Sequence, residues 1–399
     1  MSGLTNEREI TSVLKTVLCK GSELVALHEP LFEGREQEYV KDCINSGYVS
    51  SVGSYVNRFE ADLCRFTGAK FAAAVVNGTA ALQICLQLAG VQPGDEVLIP
   101  ALTFVATANA VCYCDAIPHL VDSDIDSLGV NAEKLDRYLK EAAVMRNGVL
   151  CNKQTGRPIR ALVVMHTFGH PVDIDKMLRI CSDYQIALIE DAAESLGSYY
   201  KDIHTGNFGM LAALSFNGNK IITTGGGGAI LTDDEALYRR AKHLTTTARR
   251  QHRWAFVHDE VGYNYRMPNL NAALGCAQLE LIGKFLRLKR ALAEEYKRAF
   301  KDVQGIRFVT EPSYAKSNYW LNTLMLSEEN AALRDAVLEE TNRQGIQTRP
   351  VWTLMSRLPM FQSCPRMDLS IADSLERRII NIPSSARLGK PFVFSKDDM

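Results

Sequence analysis

Lys220 stands in the stretch Ser215-Phe216-Asn217-Gly218-Asn219-Lys220-Ile221-Ile222, and four glycines, Gly225 to Gly228, follow two threonines later. An amine held among apolar residues loses hydration, so its pKa can fall and it can act as a nucleophile. The glycines permit positive φ and close backbone approach. They follow the lysine and do not precede it, unlike a phosphate-binding GxxxxGK[ST] loop. A second candidate is Ala187-Leu188-Ile189-Glu190-Asp191-Ala192-Ala193-Glu194. Two acids end an apolar run, where a carboxylate is costly unless it meets a cation or donors. Either Asp191 faces a cationic group at the floor of a pocket, or Asp191 and Glu194 form a capping box on a following helix.

Three further stretches carry polar or planar groups. In Asn77-Gly78-Thr79-Ala80, a helix N-terminus could hold phosphate with backbone N–H groups and the Thr79 hydroxyl, or Asn77 and Thr79 could simply cap it. Phe104 could stack on a planar ligand, a contact worth about 0.5–1.5 kcal/mol beyond burial, or it could be core. Tyr263, Asn264, Tyr265 and Arg266 form a recognition loop or a capping loop before Pro268. His166 and His170 have the i,i+4 spacing of a metal pair, but Gly169 and Pro171 break any helix there, and no metal site is expected.

These residues fall in a repeating text. Apolar strand-like runs at 70–76, 96–100, 118–121, 160–165 and 187–189 alternate with helical runs at 80–88, 103–112, 132–142 and 174–184. Fully apolar strands between helices predict an α/β protein with a mostly parallel sheet covered on both faces. In such sheets ligands gather at the carboxyl ends of the strands, and four of the five stretches lie at such ends. After 212–216 and 227–232 the pattern changes. One long helix is expected over 270–300, then strands at 306–309 and 319–326 and helices near 333–343 and 373–380. This predicts an N-terminal extension helix (1–25, with Ile10, Val13, Leu14 and Val17 on one face), a large domain (26–268), and a smaller α+β C-terminal domain (269–399).

Composition narrows the class. The chain has 399 residues, 45 Lys+Arg against 46 Asp+Glu, and 46% hydrophobic residues. The balance of charge excludes the basic face of a nucleic-acid binder. No apolar run approaches the roughly 20 residues that span a bilayer. Ten cysteines are scattered without a CxxC pair, as expected for reduced thiols in the cytoplasm.

Taken in order, Gly-Thr-Ala-Ala-Leu (78–82), Pro-x-x-Thr-Phe-x-Ala-Thr-Ala-Asn-Ala (100–110), Glu-Asp-Ala-Ala (190–193), Ser-Phe-x-x-x-Lys with its glycine run (215–228) and Gly-Tyr-Asn-Tyr-Arg-Met (262–267) resemble the DegT/DnrJ/EryC1/StrS family of pyridoxal-phosphate sugar aminotransferases. The resemblance covers the chain after about residue 25 and implies fold type I. It implies that Lys220 bonds to the cofactor and later moves a proton between Cα and C4′, and that Asp191 keeps the pyridine nitrogen protonated. Phe104 would stack on the ring, Gly78, Thr79 and Ser215 would hold the phosphate, and Glu194 would lie beside the ring oxygen. Asn264 would reach the phosphate of the neighbouring subunit, so a homodimer with active sites at the interface is implied.

The chain departs from the family pattern in three places. Glu194 stands where many relatives have Gln or His, Gly226 where the glycine run often carries Glu, and Ser356 about where many carry His. Ser317-Asn318-Tyr319-Trp320-Leu321-Asn322 and the stretch 349–361 resemble the subgroup acting on 4-keto-6-deoxy-N-acetylhexosamine nucleotides, enzymes that lead toward bacillosamine and legionaminic acid. The implied reaction moves an amino group from L-glutamate to C4 of UDP-2-acetamido-2,6-dideoxy-4-keto-glucose. Alternatives are another keto nucleotide sugar, such as a perosamine-type GDP-sugar, or a non-catalytic sensor on the same fold. A sugar dehydratase of the family would have His in place of Lys220.

Overall fold

A computed structural model describes residues 6–18 and 24–389. Its centre is a seven-stranded sheet. The strands are β1 (Phe71–Val75), β2 (Glu96–Pro100), β3 (Ile117–Val121), β4 (Ile159–Met165), β5 (Ala187–Asp191), β6 (Leu211–Ser215) and β7 (Gly228–Thr232). Their order is β1-β7-β6-β5-β4-β2-β3. β2 to β6 pair in parallel, and β7 runs antiparallel to both neighbours. Strands such as Phe-Ala-Ala-Ala-Val are apolar throughout because helices cover both faces, and the inner strands are buried along their length.

Helices follow the strands where the sequence supplies starts and stops. Asn77 caps the helix Gly78–Leu88 by accepting from the Ala80 N–H at 2.7 Å. The helix Ser54–Thr67 ends at Gly68, whose φ of +83° takes the left-handed stop that a side chain would resist. The helices Glu36–Ser46 and Ser54–Thr67 pack against Asn269–Glu280.

The single helix expected over 270–300 is two helices, Asn269–Glu280 and Ile282–Ala299, broken at Leu281. Apolar spacing continues across the break, so periodicity alone does not reveal it. The helix expected from 103 begins at Val105, with Phe104 at its N-cap. The helix expected to reach 380 ends at Arg378, and Ile379–Ile382 is a strand. That strand pairs with Asn322–Leu326 and Arg349–Pro350 in a four-stranded antiparallel sheet completed by Ile306–Phe308.

Ile10 and Leu14 of the helix Glu7–Leu18 are fully buried in a core with Tyr296, Phe300, Leu324 and Ile380. Each such side chain contributes roughly 1.5–3 kcal/mol of burial, which ties the N-terminal helix to the small sheet. No described helix is long and apolar enough to cross a membrane. The nine described cysteines are all free.

Candidate active site

The carboxyl ends of β1, β2, β4, β5 and β6 converge on a cavity of about 300 Å³. Gly78, Thr79, Phe104, Asp191, Glu194, Ser215 and Lys220 all line it. Seven of the eight residues singled out in the sequence therefore meet in one place. Asn264 does not. It lines a separate cleft of about 840 Å³ with Arg249, Arg250, His252, Arg253 and Arg266.

Lys220 lies in the turn that links β6 to β7, its side chain 13% exposed. Its Nζ is 3.2 Å from Glu194 Oε1 and 3.7 Å from the centre of the Trp320 ring. Lys220 is therefore held inside the cavity and is not a solvated surface lysine. Glu194 is buried, and its second oxygen accepts the Phe168 N–H at 2.9 Å. Burial pushes its carboxyl up to about 7, against the pull of the Lys220 charge.

Asp191 ends β5 and is 3% exposed. The Thr107 hydroxyl donates to it at 2.8 Å and the Ala193 N–H at 3.2 Å. Burial raises its pKa, and these two donors together with the Lys220 charge only partly offset that. No helix follows Asp191, so the capping-box alternative fails. Behind it, Glu190 meets His166 at 3.0 Å and accepts from the N–H groups of Gly206, Phe208 and Gly209. Burial favours the neutral acid there, but the His166 contact and the backbone donors outweigh it and hold Glu190 below its usual range. His170 packs on Tyr319 instead, so the two histidines serve different contacts.

At the other end of the cavity lies the N-terminus of the helix Gly78–Leu88, where free N–H groups and the helix dipole favour an anion. A Cβ on Gly78 would lie 2.9 Å from the Ser215 Cβ, and one on Gly228 would lie 2.5 Å from the Asn77 carbonyl carbon. Both glycines are there because backbone and Ser215 close around the same small space. Capping by Asn77 does not exclude an anion there, because the side chain uses only one of the free N–H groups. Phe104 is 50% exposed at the cavity rim, which excludes the core alternative.

Trp320, Trp352, Asn77, Asn217 and Asn219 also line the cavity, and Thr107 holds its acid, though sequence reasoning gave none of them a role there. Thr107 had a signal: it follows Thr103 at i,i+4 spacing, and the two hydroxyls are 2.8 Å apart.

The donor set suits pyridoxal phosphate: an amine, a buried acid with no ion-pair partner among the described residues, a helix N-terminus that can take an anion and an exposed aromatic ring share one cavity.

Residues 30–392 match the DegT/DnrJ/EryC1/StrS aminotransferase family. EpsN of Bacillus subtilis, which bears the name of a pyridoxal phosphate-dependent aminotransferase, is 36% identical over 91% of this chain and 92% of its own. A GDP-perosamine synthase of Caulobacter vibrioides is 35% identical over 91% of this chain and 94% of its own. Among solved structures, the aminotransferase TlmJ of Streptoalloteichus hindustanus superposes with a TM-score of 0.82 at 25% identity, covering 94% and 95% of the two chains. Helicobacter pylori PseC shares the fold, with a TM-score of 0.82 at 22% identity over 91% and 94%. A lysine and an acid at strand ends, set on this sheet order and matched along nine-tenths of the chain, lead to one assignment: the protein is a pyridoxal phosphate-dependent aminotransferase and belongs to the DegT/DnrJ/EryC1/StrS family.

Proposed function

We propose that the enzyme moves the amino group of L-glutamate to C4 of a nucleotide-linked 4-keto-6-deoxy sugar, with UDP-2-acetamido-2,6-dideoxy-4-keto-glucose as the preferred acceptor. The reading is carried by the convergence of the Lys220 amine, the buried Asp191 and the Gly78 helix N-terminus in one cavity. The cofactor, when bound, supplies an electron sink for the carbon that loses or gains a proton. Asp191 would hold a proton on the pyridine nitrogen, Phe104 would flank the ring, and Gly78, Thr79 and Ser215 would seat the phosphate. Lys220 would hold the cofactor and carry the proton, with Glu194 beside its amine to orient it. Glutamate leaves as 2-oxoglutarate before the keto sugar enters, so the kinetics are ping-pong.

Asn264 lies in a basic cleft outside this chain's own cavity, which supports a role in the site of a second copy. The nine described cysteines, all free, support a cytoplasmic enzyme, and the products would serve a surface polysaccharide or glycan.

A GDP-linked acceptor is the second reading, favoured by three relatives of 33–35% identity named GDP-perosamine synthase. The test is a panel of UDP-, GDP- and dTDP-linked 4-keto sugars with glutamate, read by product mass. Amination of the UDP-N-acetyl sugar at the highest kcat/KM supports the first reading, and preference for the GDP sugar replaces it. Loss of turnover in a folded Lys220→Ala variant supports the site; near-normal turnover would sink it. A cofactor absorbance band unmoved by glutamate would instead identify a sensor.

A further inference from the structure

Lys289 is a buried lysine whose partners among the described residues include no acid. It stands on the helix Ile282–Ala299 and is 1% exposed. Nζ has three partners: it donates to the Trp320 carbonyl at 3.1 Å and to the Ser384 carbonyl, and His28 Nε2 at 3.0 Å either accepts a third hydrogen from the ammonium or donates to the lone pair of the neutral amine. Burial pushes the amine well below its ordinary range. A methionine would fill a similar volume without that desolvation cost, so the lysine's contribution lies in its donors.

Those donors join three distant parts of the chain. Around them the Ser384 N–H donates to the Leu27 carbonyl at 2.7 Å, and the Asn322 N–H donates to the Ser384 hydroxyl at 2.7 Å. Trp320 links this junction to the cavity. Its N–H donates to Asn318 Oδ1 and its indole N–H to the Asn219 carbonyl, each at 2.7 Å. Its ring then lies against the Lys220 amine. Tyr319, just before it, has a φ of +49°, a left-handed conformation that bulky residues avoid. Such a turn persists only when its surroundings fix it, and Lys289 grips the carbonyl that follows.

We propose that Lys289 is a positioning residue for amino transfer: it fixes the Trp320 carbonyl, and through it the indole that holds the Lys220 amine against Glu194. Lys289 does not line the cavity. The proposal rests on Lys220 as the reacting amine.

The test uses Lys289→Met, Trp320→Leu and the double variant, with two readouts. One is kcat for amino transfer. The other is the rate at which trace acetic anhydride labels Lys220 in the cofactor-free chain, measured by peptide mass against Lys140, whose side chain is 66% exposed. Each single change is expected to lower kcat about tenfold and to speed Lys220 labelling at least about threefold, because the amine loses its cation–π contact and its orientation. Acting in series, the two changes together should cost no more than Trp320→Leu alone. Losses that multiply overturn the proposal. So does unchanged Lys220 labelling in Trp320→Leu, a result that holds even if Lys289→Met fails to fold. Turnover retained by Lys220→Ala would remove the reading of Lys220 itself and leave the labelling result to stand separately.

Discussion

Glu194 Oε1 and Lys220 Nζ lie 3.2 Å apart, yet burial still pushes the Glu194 carboxyl up to about 7. Desolvation of the acid exceeds what one lysine returns. The folded chain therefore keeps a proton on Glu194 that the unfolded chain, with its ordinary value of 4.5, gives up.

The sign of the pH effect follows. The acid is raised on folding, so its contribution is fully present below about pH 4.5 and is lost as pH rises through about 7. A shift of that size is worth on the order of 3 kcal/mol across the window. The Tm of the cofactor-free protein should fall between pH 5 and pH 8, and Glu194→Gln should flatten that fall. Thermal melts at several pH values check it. A variant with the parent's slope would show that Glu194 is ionised throughout.

Asp191→Asn should separate activity from stability. The carboxylate is buried, with one hydroxyl and one backbone N–H as its donors. Asparagine keeps the shape and removes the charge, so the cofactor-free protein should be as stable as the parent or more so. Turnover should fall by roughly a hundredfold or more, the usual cost of losing a preorganised charge in an active site. Melting curves and kcat on one preparation decide it. A loss of both together would mean that Asp191 serves the fold and not the chemistry.

Much of this site is readable locally because its residues are fixed by local events. Gly78, Asp191 and Ser215 sit where a strand ends, and an apolar run that stops at a polar residue is visible in the text. Trp320 and Trp352 are different. They come from parts of the chain beyond the central sheet and reach the cavity only through tertiary packing, Trp320 across a left-handed turn at Tyr319. Two similar failures concern elements. The break at Leu281 leaves the apolar spacing of its two helices intact. The strand Ile379–Ile382 follows a helix with no glycine or proline between them, and only pairing with Asn322–Leu326 and Arg349–Pro350 makes it a strand. Asp-x-x-Glu fits a helix start and so points to a capping role for Glu194, but the chain after Asp191 turns instead, and the glutamate accepts from the Phe168 N–H.

The phosphate seat can be tested by filling it. A Cβ at Gly78 would stand 2.9 Å from the Ser215 Cβ, closer than side chains tolerate, at the helix end proposed to hold the anion. Gly78→Ala should therefore weaken cofactor binding by about tenfold or more, roughly the loss of one charge-assisted hydrogen bond. The same crowding should lower the cofactor-free Tm, offset in part by the roughly 1 kcal/mol that alanine gains over glycine in a helix. Titration of the cofactor by absorbance measures the first and a melt the second. An unchanged cofactor Kd would place the phosphate elsewhere.

Asn264 makes the strongest demand on assembly. It lies with Arg249, Arg250 and Arg266 in a cleft apart from the Lys220 cavity, although it is proposed to serve the cofactor phosphate. Both statements hold if Asn264 of one copy completes the cavity of another. Two inactive variants should then complement. In a mixed dimer of Lys220→Ala and Asn264→Ala chains, the site built on the Asn264→Ala chain has its own lysine and takes Asn264 from the other copy. Random exchange of equal amounts makes half the dimers mixed, each with one good site of two. Activity should recover to about a quarter of the parent's, a gain well above either variant alone. Subunits are mixed, exchanged under mild denaturant and assayed. If each chain builds its whole site alone, the mixture stays at the average of the two variants, and the interface role of Asn264 is wrong.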